Sequence, residues 1–183
     1  MIINKGAVYV FEGNGKGKTS AALGVALRML LLGKRVEWIS WFKEQSWKTA
    51  EMRLPKKFKS NLKMHWMGEG FFGGPMDHGT PLGHKKAAKG ALLLANEILT
   101  AKDDTGGVPD LLVLDEVLRA IADGLLTIGD VLKIVKMRRK THLILTGHSC
   151  PQKIIEVADL VTEMKKIKHP YDKGVLAISG LDF

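Results

Sequence analysis

Residues Gly13-Asn14-Gly15-Lys16-Gly17-Lys18-Thr19 lie between an apolar run at 7–11 and a helix-like run at 21–32. A glycine-rich loop joining a strand to a helix is the context a phosphate cradle requires. Glycines let the backbone curl so that successive N–H groups point inward, and the helix N-terminus adds partial positive charge. Lys18 then places an ammonium against the outer phosphates, and Thr19 offers a hydroxyl to Mg²⁺. The stretch from Gly13 through Ser20 therefore reads as a nucleotide-binding loop, with Lys18 and Thr19 in the chemistry. At its first position Glu12 stands where a glycine is expected, and Lys16 inside the loop offsets that carboxylate.

Strand-length apolar runs recur at 7–11, 36–42, 62–67, 111–114, 143–146 and 160–162. Helical segments are predicted at 18–32, 82–101, 117–123, 128–137 and 151–157, the last opening with Pro151. Near-continuous Val, Ile and Leu suits strands covered on both faces. The expectation is an α/β fold with a doubly wound, largely parallel sheet, like that of P-loop NTPases. A chain of 183 residues with 45% apolar content suits a single nucleotide-binding domain over 1–183. Between 43 and 81 lysines cluster, Trp47 and Trp66 appear, and Gly68-Glu69-Gly70-Phe71-Phe72-Gly73-Gly74-Pro75 is rich in turn-formers. That region reads as a loop or lid over a substrate, because aromatics set among glycines suit a binding surface.

The formal charge of +9 favours polyanionic partners without choosing among them. One cysteine, Cys150, excludes an internal disulfide, and the N-terminus lacks a secretory pattern, so a cytoplasmic location is expected. Arg28 and Gly33-Lys34-Arg35 interrupt the longest apolar stretch, so no membrane span is expected.

About a hundred residues beyond the loop, Leu111-Leu112-Val113-Leu114-Asp115-Glu116 has the form of an apolar strand ending in two carboxylates. Acidic groups at the carboxyl end of a central strand reach a nucleotide-bound metal, which makes Thr19, Asp115 and Glu116 the candidate Mg²⁺ residues. Glu116 is also placed to act as a base, as in hydrolases, and so does not separate hydrolysis from other chemistry with a phosphate leaving group. Arg28 lies roughly 15 Å along its helix from Lys18, and a structural salt bridge and a ligand contact are both open to it. The six histidines lack metal-ligand spacing, so no zinc site is expected. Cys150 reads as a packing residue, whereas site and turn roles are equally open to His148; His169 is unassigned.

The chain resembles the P-loop corrinoid adenosyltransferases, which move the 5′-deoxyadenosyl group of ATP onto reduced cobalt. Four segments carry the resemblance: Phe11 to Ala22, Val113-Leu114-Asp115-Glu116, Leu145-Thr146-Gly147-His148-Ser149-Cys150, and Lys168-His169-Pro170-Tyr171-Asp172-Lys173-Gly174-Val175 with the terminal Gly180-Leu181-Asp182-Phe183. The family's Gly-Phe-x-Trp segment, thought to displace the lower cobalt ligand, is matched by Gly70-Phe71-Phe72-Gly73, making Phe71 and Phe72 the implied corrinoid residues. His148 stands where the family has an arginine, and the family's N-terminal helical extension faces a first strand that here begins near residue 7.

The resemblance implies ATP as co-substrate with Mg²⁺, a corrinoid substrate in cobalamin biosynthesis or salvage, a flavodoxin-type reductase partner and a homodimer. Co(I) would attack the 5′ carbon while triphosphate leaves, so no side-chain nucleophile is required. Two alternatives stand beside it. One is a small-molecule kinase or NTPase with Arg138-Arg139-Lys140 as lid charges. The other is an ATP-modulated nucleic-acid-binding protein using the basic 43–63 stretch with Trp47 and Phe58, although no nucleic acid is expected.

Overall fold

The computed structural model describes residues 5–74, 77–102 and 107–182. Pro75 of the glycine-rich segment and Phe183 of the terminal motif lie outside the described residues. Six strands form one sheet: β1 (Val8–Glu12), β2 (Val36–Ser40), β3 (Leu62–Trp66), β4 (Leu111–Asp115), β5 (His142–Gly147) and β6 (Leu160–Glu163). All pairings are parallel, in the order β3-β2-β4-β5-β1-β6. The helices are α1 (Lys18–Leu31), α2 (Leu54–Phe58), α3 (Pro81–Thr100), α4 (Val117–Ala122), α5 (Ile128–Met137) and α6 (Gln152–Ile155).

Alternation along the strands divides the core into two layers. Val8, Val10, Ile39, Leu112, Leu114, Leu143 and Leu145 face the layer that holds α3, α4, α5 and α6. Phe11, Val36, Trp38, Leu111, Val113 and Ile144 face α1, with Leu54 and Phe58 of α2 packed alongside. The doubly wound expectation follows from this covering of both faces.

Local chemistry fixes the ends. Thr80 Oγ1 accepts the Gly83 N–H at 3.0 Å and Pro81 opens α3, while α5 begins with a reciprocal Thr127–Asp130 capping box. α6 is shorter than the expected 151–157. Asp159 accepts the Val8 N–H through its carboxylate at 2.7 Å and donates its own N–H to Val8 O at 2.8 Å, which draws the chain into β6.

The described residues between 43 and 74 hold more regular structure than the loop expected there. A 3-10 turn at Ala50–Arg53, then α2 and β3, fill the middle, because Leu54 and Phe58 find apolar partners on the α1 face. Gly68 is required where the chain returns: an added Cβ would lie 2.4 Å from Phe42 Cα. Among the described residues no helix is long and apolar enough to cross a membrane.

Leu114 is fully buried at the centre of the sheet. Leu114→Ala should therefore cost about 2–5 kcal/mol in urea unfolding; a loss well under 1 kcal/mol would contradict a sheet packed on both faces.

Candidate functional site

Strand parity assembles the site. Ser40, Asp115 and Thr146 share the parity of Trp38, Val113 and Ile144, so all three face α1 at the carboxyl end of the sheet. Thr19 waits there in the first turn of α1. The carboxylate of Asp115 is fully buried: Oδ1 accepts from Thr19 Oγ1 at 3.1 Å and Thr146 Oγ1 at 2.9 Å, and Oδ2 from Ser40 Oγ at 3.2 Å. Because β5 lies between β4 and β1, Asp115 meets the loop helix beside Thr146, whose hydroxyl also accepts the Glu116 N–H at 2.8 Å. Lys43 Nζ lies 3.5 Å from Asp115 Oδ2 and 2.5 Å from Glu51 Oε1. Burial opposes the charge on Lys43, but Asp115 and Glu51 outweigh it and raise its pKa.

The loop itself is closed by its own chain. Gly13 and Gly17 take φ of 108° and 118°, conformations that favour glycine. Lys18 Nζ donates to Gly13 O at 2.8 Å and Gly15 O at 2.9 Å, and burial lowers its pKa against the pull of Glu116, Asp115 and Glu12. Gly15 N–H donates to Met164 O at 2.6 Å, Asn14 Oδ1 accepts from the Lys166 N–H at 3.2 Å, and Lys16 pairs with Asp182. Glu12 does not intrude on the cradle. It shares the parity of Val8 and Val10, so its carboxylate turns to the opposite face and accepts the Cys150 N–H at 3.3 Å. Burial, with Glu12 adding to it, pushes the Cys150 thiol up to about 11 and makes it a poor nucleophile.

Glu116 adopts φ 64°, unusual for a residue with a side chain, and caps α4. Burial and then Asp115 push its carboxyl up to about 7, despite Lys18, Arg119 and Lys43. Its Oε2 is buried without a hydrogen-bond partner. A hydroxyl, a carboxylate and this orphaned oxygen suit magnesium, which binds through one or two carboxylates and completes its shell with phosphates and water. Among the described residues no group of three or more His, Cys, Asp or Glu forms a cage of protein ligands alone.

A cavity of about 930 Å³ opens from Thr19 and Ser20 past Lys43, Asp115 and Glu116 to an apolar wall of Leu23, Leu27, Leu54 and Leu181. Phe71 lines it, 46% exposed, with its ring 6.4 Å from Phe42 and 5.2 Å from Trp47. The Arg119 guanidinium sits 4.8 Å from the Phe42 ring and 4.9 Å from that of Phe71. Phe72 is not brought to this wall: its ring packs edge-on against His84 at 5.2 Å and joins the core under α3.

His148 lies near Lys18 and Arg119, and burial followed by those two cations lowers its pKa. His169 caps a 3-10 turn through Tyr171 N–H, and Arg28 is exposed on α1. Arg138 donates to Gly6 O at 2.6 Å, at the amino end of β1 and so at the opposite end of the sheet from the loop, which leaves a lid of Arg138-Arg139-Lys140 no phosphate to reach. Phe58 is packed and Lys43 points inward, which removes the basic stacking platform. Lys43 and Arg119 were not singled out in the sequence, and Thr146 and Asp182 were named only within the motifs that carry the resemblance, with no site role. Thr146 also had a local signal, as the polar end of an apolar strand.

Residues 4–183 match the protein family described as ATP:corrinoid adenosyltransferase BtuR/CobO/CobP. A corrinoid adenosyltransferase of Pseudomonas aeruginosa is 34% identical over 98% of this chain and 84% of its own length. The corrinoid adenosyltransferase CobA of Salmonella typhimurium is 31% identical over 98% and 86%. Among solved structures, the flagellar accessory protein FlaH of Methanocaldococcus jannaschii superposes with a TM-score of 0.56 at 13% identity, over 88% of this chain and 72% of that one. A KaiC-like protein of Pyrococcus horikoshii gives 0.53 at 14%, over 89% and 74%. These two speak to the fold alone.

Glu116 provides a pH test on the nucleotide-free protein. Its folded-state value near 7 exceeds the ordinary glutamate value of 4.5, so the folded state binds more protons in that interval and loses stability as pH rises through it. Glu116→Gln should gain stability at pH 8, of order 2–3 kcal/mol, and gain little at pH 4.5; equal effects at both values in urea titrations would refute the burial argument. Thr146→Val should cost about 1–3 kcal/mol in the same titrations by stranding the Glu116 N–H and leaving Asp115 Oδ1 with Thr19 as its one donor.

Proposed function

The chain belongs to the ATP:corrinoid adenosyltransferase family, and from that membership we propose how its residues divide the transfer of a 5′-deoxyadenosyl group from ATP to Co(I) of a corrinoid. Co(I) donates an electron pair to the 5′ carbon, the C5′–O bond breaks, and its electron pair departs with triphosphate. The attacking atom belongs to the substrate, so the protein's task is to bring carbon and cobalt into line and to stabilise the leaving group. The observation that carries this reading is one continuous cavity that runs from Thr19 and Ser20 at the end of the loop to an aromatic mouth at Phe71 and Trp47.

Gly13 through Ser20 hold the phosphates through main-chain amides, with Lys18 released from the Gly13 and Gly15 carbonyls to meet them. Thr19, Asp115 and Glu116 would hold Mg²⁺. When bound, the metal would neutralise part of the charge that accumulates on the departing triphosphate. Glu116 ionises more readily once its unpartnered oxygen has a cation to face. Phe71 and the Arg119 guanidinium beneath it form the wall against which the corrinoid sits, excluding water from the reacting atoms. Phe72 supports this wall from the core rather than touching the corrinoid.

The +9 charge suits an acidic, flavodoxin-type reductase that supplies Co(I). Exposed Ile167, Tyr171 and Leu176 in the C-terminal segment suit a homodimer. A cytoplasmic location, where ATP and reductant are at hand, suits this reaction.

Incubation with MgATP and chemically reduced cobalamin should yield adenosylcobalamin and intact triphosphate; ADP with inorganic phosphate would point instead to a kinase or NTPase. Lys18→Ala should abolish ATP binding in calorimetry while the circular dichroism stays unchanged. Phe71→Ala should slow Co(II) reduction yet leave ATP affinity within about twofold, since the ring makes no phosphate contact.

A further inference from the structure

Lys43 follows the buried pair Trp41-Phe42 past the carboxyl end of β2, and its side chain is 17% exposed against the cavity wall. It faces two carboxylates at once, Glu51 at 2.5 Å and Asp115 at 3.5 Å. As a structural partner for Asp115 it is surplus, because both carboxylate oxygens already accept hydroxyl donors from Thr19, Thr146 and Ser40. Glu51 alone, 9% exposed on the 3-10 turn at Ala50–Arg53, would hold it in place. Lys18 lies on the β1 side of the two acidic residues and Lys43 on the β2 side. The space between them is the part of the cavity lined by Thr19, Asp115 and Glu116.

A departing triphosphate carries more negative charge than one ammonium and one divalent cation neutralise, and a desolvated site makes each unbalanced charge costly. A metal that engages Asp115 would draw that carboxylate away from Lys43, leaving the buried ammonium with Glu51 alone where it now faces two carboxylates. Phosphate oxygens entering the same space would replace the second. Resting on the nucleotide site described above, we propose that Lys43 is a second phosphate-binding cation and a catalytic residue, gripping the triphosphate from the side of the cavity opposite Lys18.

Titration of magnesium tripolyphosphate into the full-length protein tests this without a turnover step. Lys43→Met should weaken that binding about 10- to 100-fold and lower kcat for adenosyl transfer about 100-fold, whereas Lys43→Arg, which keeps the charge, should recover most of the binding. Should Lys43→Met fail to fold, Lys43→Gln, which keeps a donor toward Glu51, carries the same expectation. A folded neutral variant that binds tripolyphosphate within twofold of wild type overturns the proposal and leaves the adenosyl-transfer reading intact. A wild-type protein that binds no tripolyphosphate overturns both.

Discussion

One fully buried carboxylate organises the carboxyl end of this sheet. Asp115 takes hydrogen bonds from β2 through Ser40, from β5 through Thr146 and from α1 through Thr19. A charge removed from water is tolerated only where its lone pairs are met, so the three hydroxyls fix where these elements end relative to one another. Glu116 inherits the consequence. Its backbone is held by Thr146 in a left-handed turn, and its carboxyl is left beside a like charge with one oxygen unmet.

The same arrangement explains how a protein with no attacking side chain can support a group transfer. Rigid donors face one end of the cavity, and an aromatic wall with a guanidinium behind it closes the other. Gly147 permits this closeness: an added Cβ would lie 2.6 Å from the Arg119 backbone nitrogen, so β5 can end directly against α4 only without a side chain there.

Much of this was legible in the sequence because it depends on local pattern. The Val, Ile and Leu runs gave all six strands, and the glycine loop falls between β1 and α1 as its sequence context required. Glu12 was misjudged: expected beside the phosphates with Lys16 offsetting its charge, it falls in step with Val8 and Val10 and turns to the other face, while Lys16 pairs with Asp182. What was not legible depends on strand order. Ser40, Thr146 and Lys43 meet Asp115 only because β2 and β5 flank β4, and nothing within those segments encodes their neighbours. Two adjacent phenylalanines at 71 and 72 look equivalent in sequence, but only tertiary packing decides that one ring lines the cavity and the other supports the core.

The contacts between the C-terminal segment and the phosphate loop have a thermodynamic reach beyond their size. Met164 O occupies the Gly15 amide and Asp182 occupies Lys16, both groups of the loop to which the proposed function gives the polyphosphate. A nucleotide entering there would compete with Met164 and Asp182, so its observed affinity would be the intrinsic one scaled by the fraction of molecules whose loop is free. The tail thereby acts as a tethered competitor whose local concentration is fixed by connectivity, and the nucleotide level at which the site fills is set partly by residues far along the chain from the loop they guard.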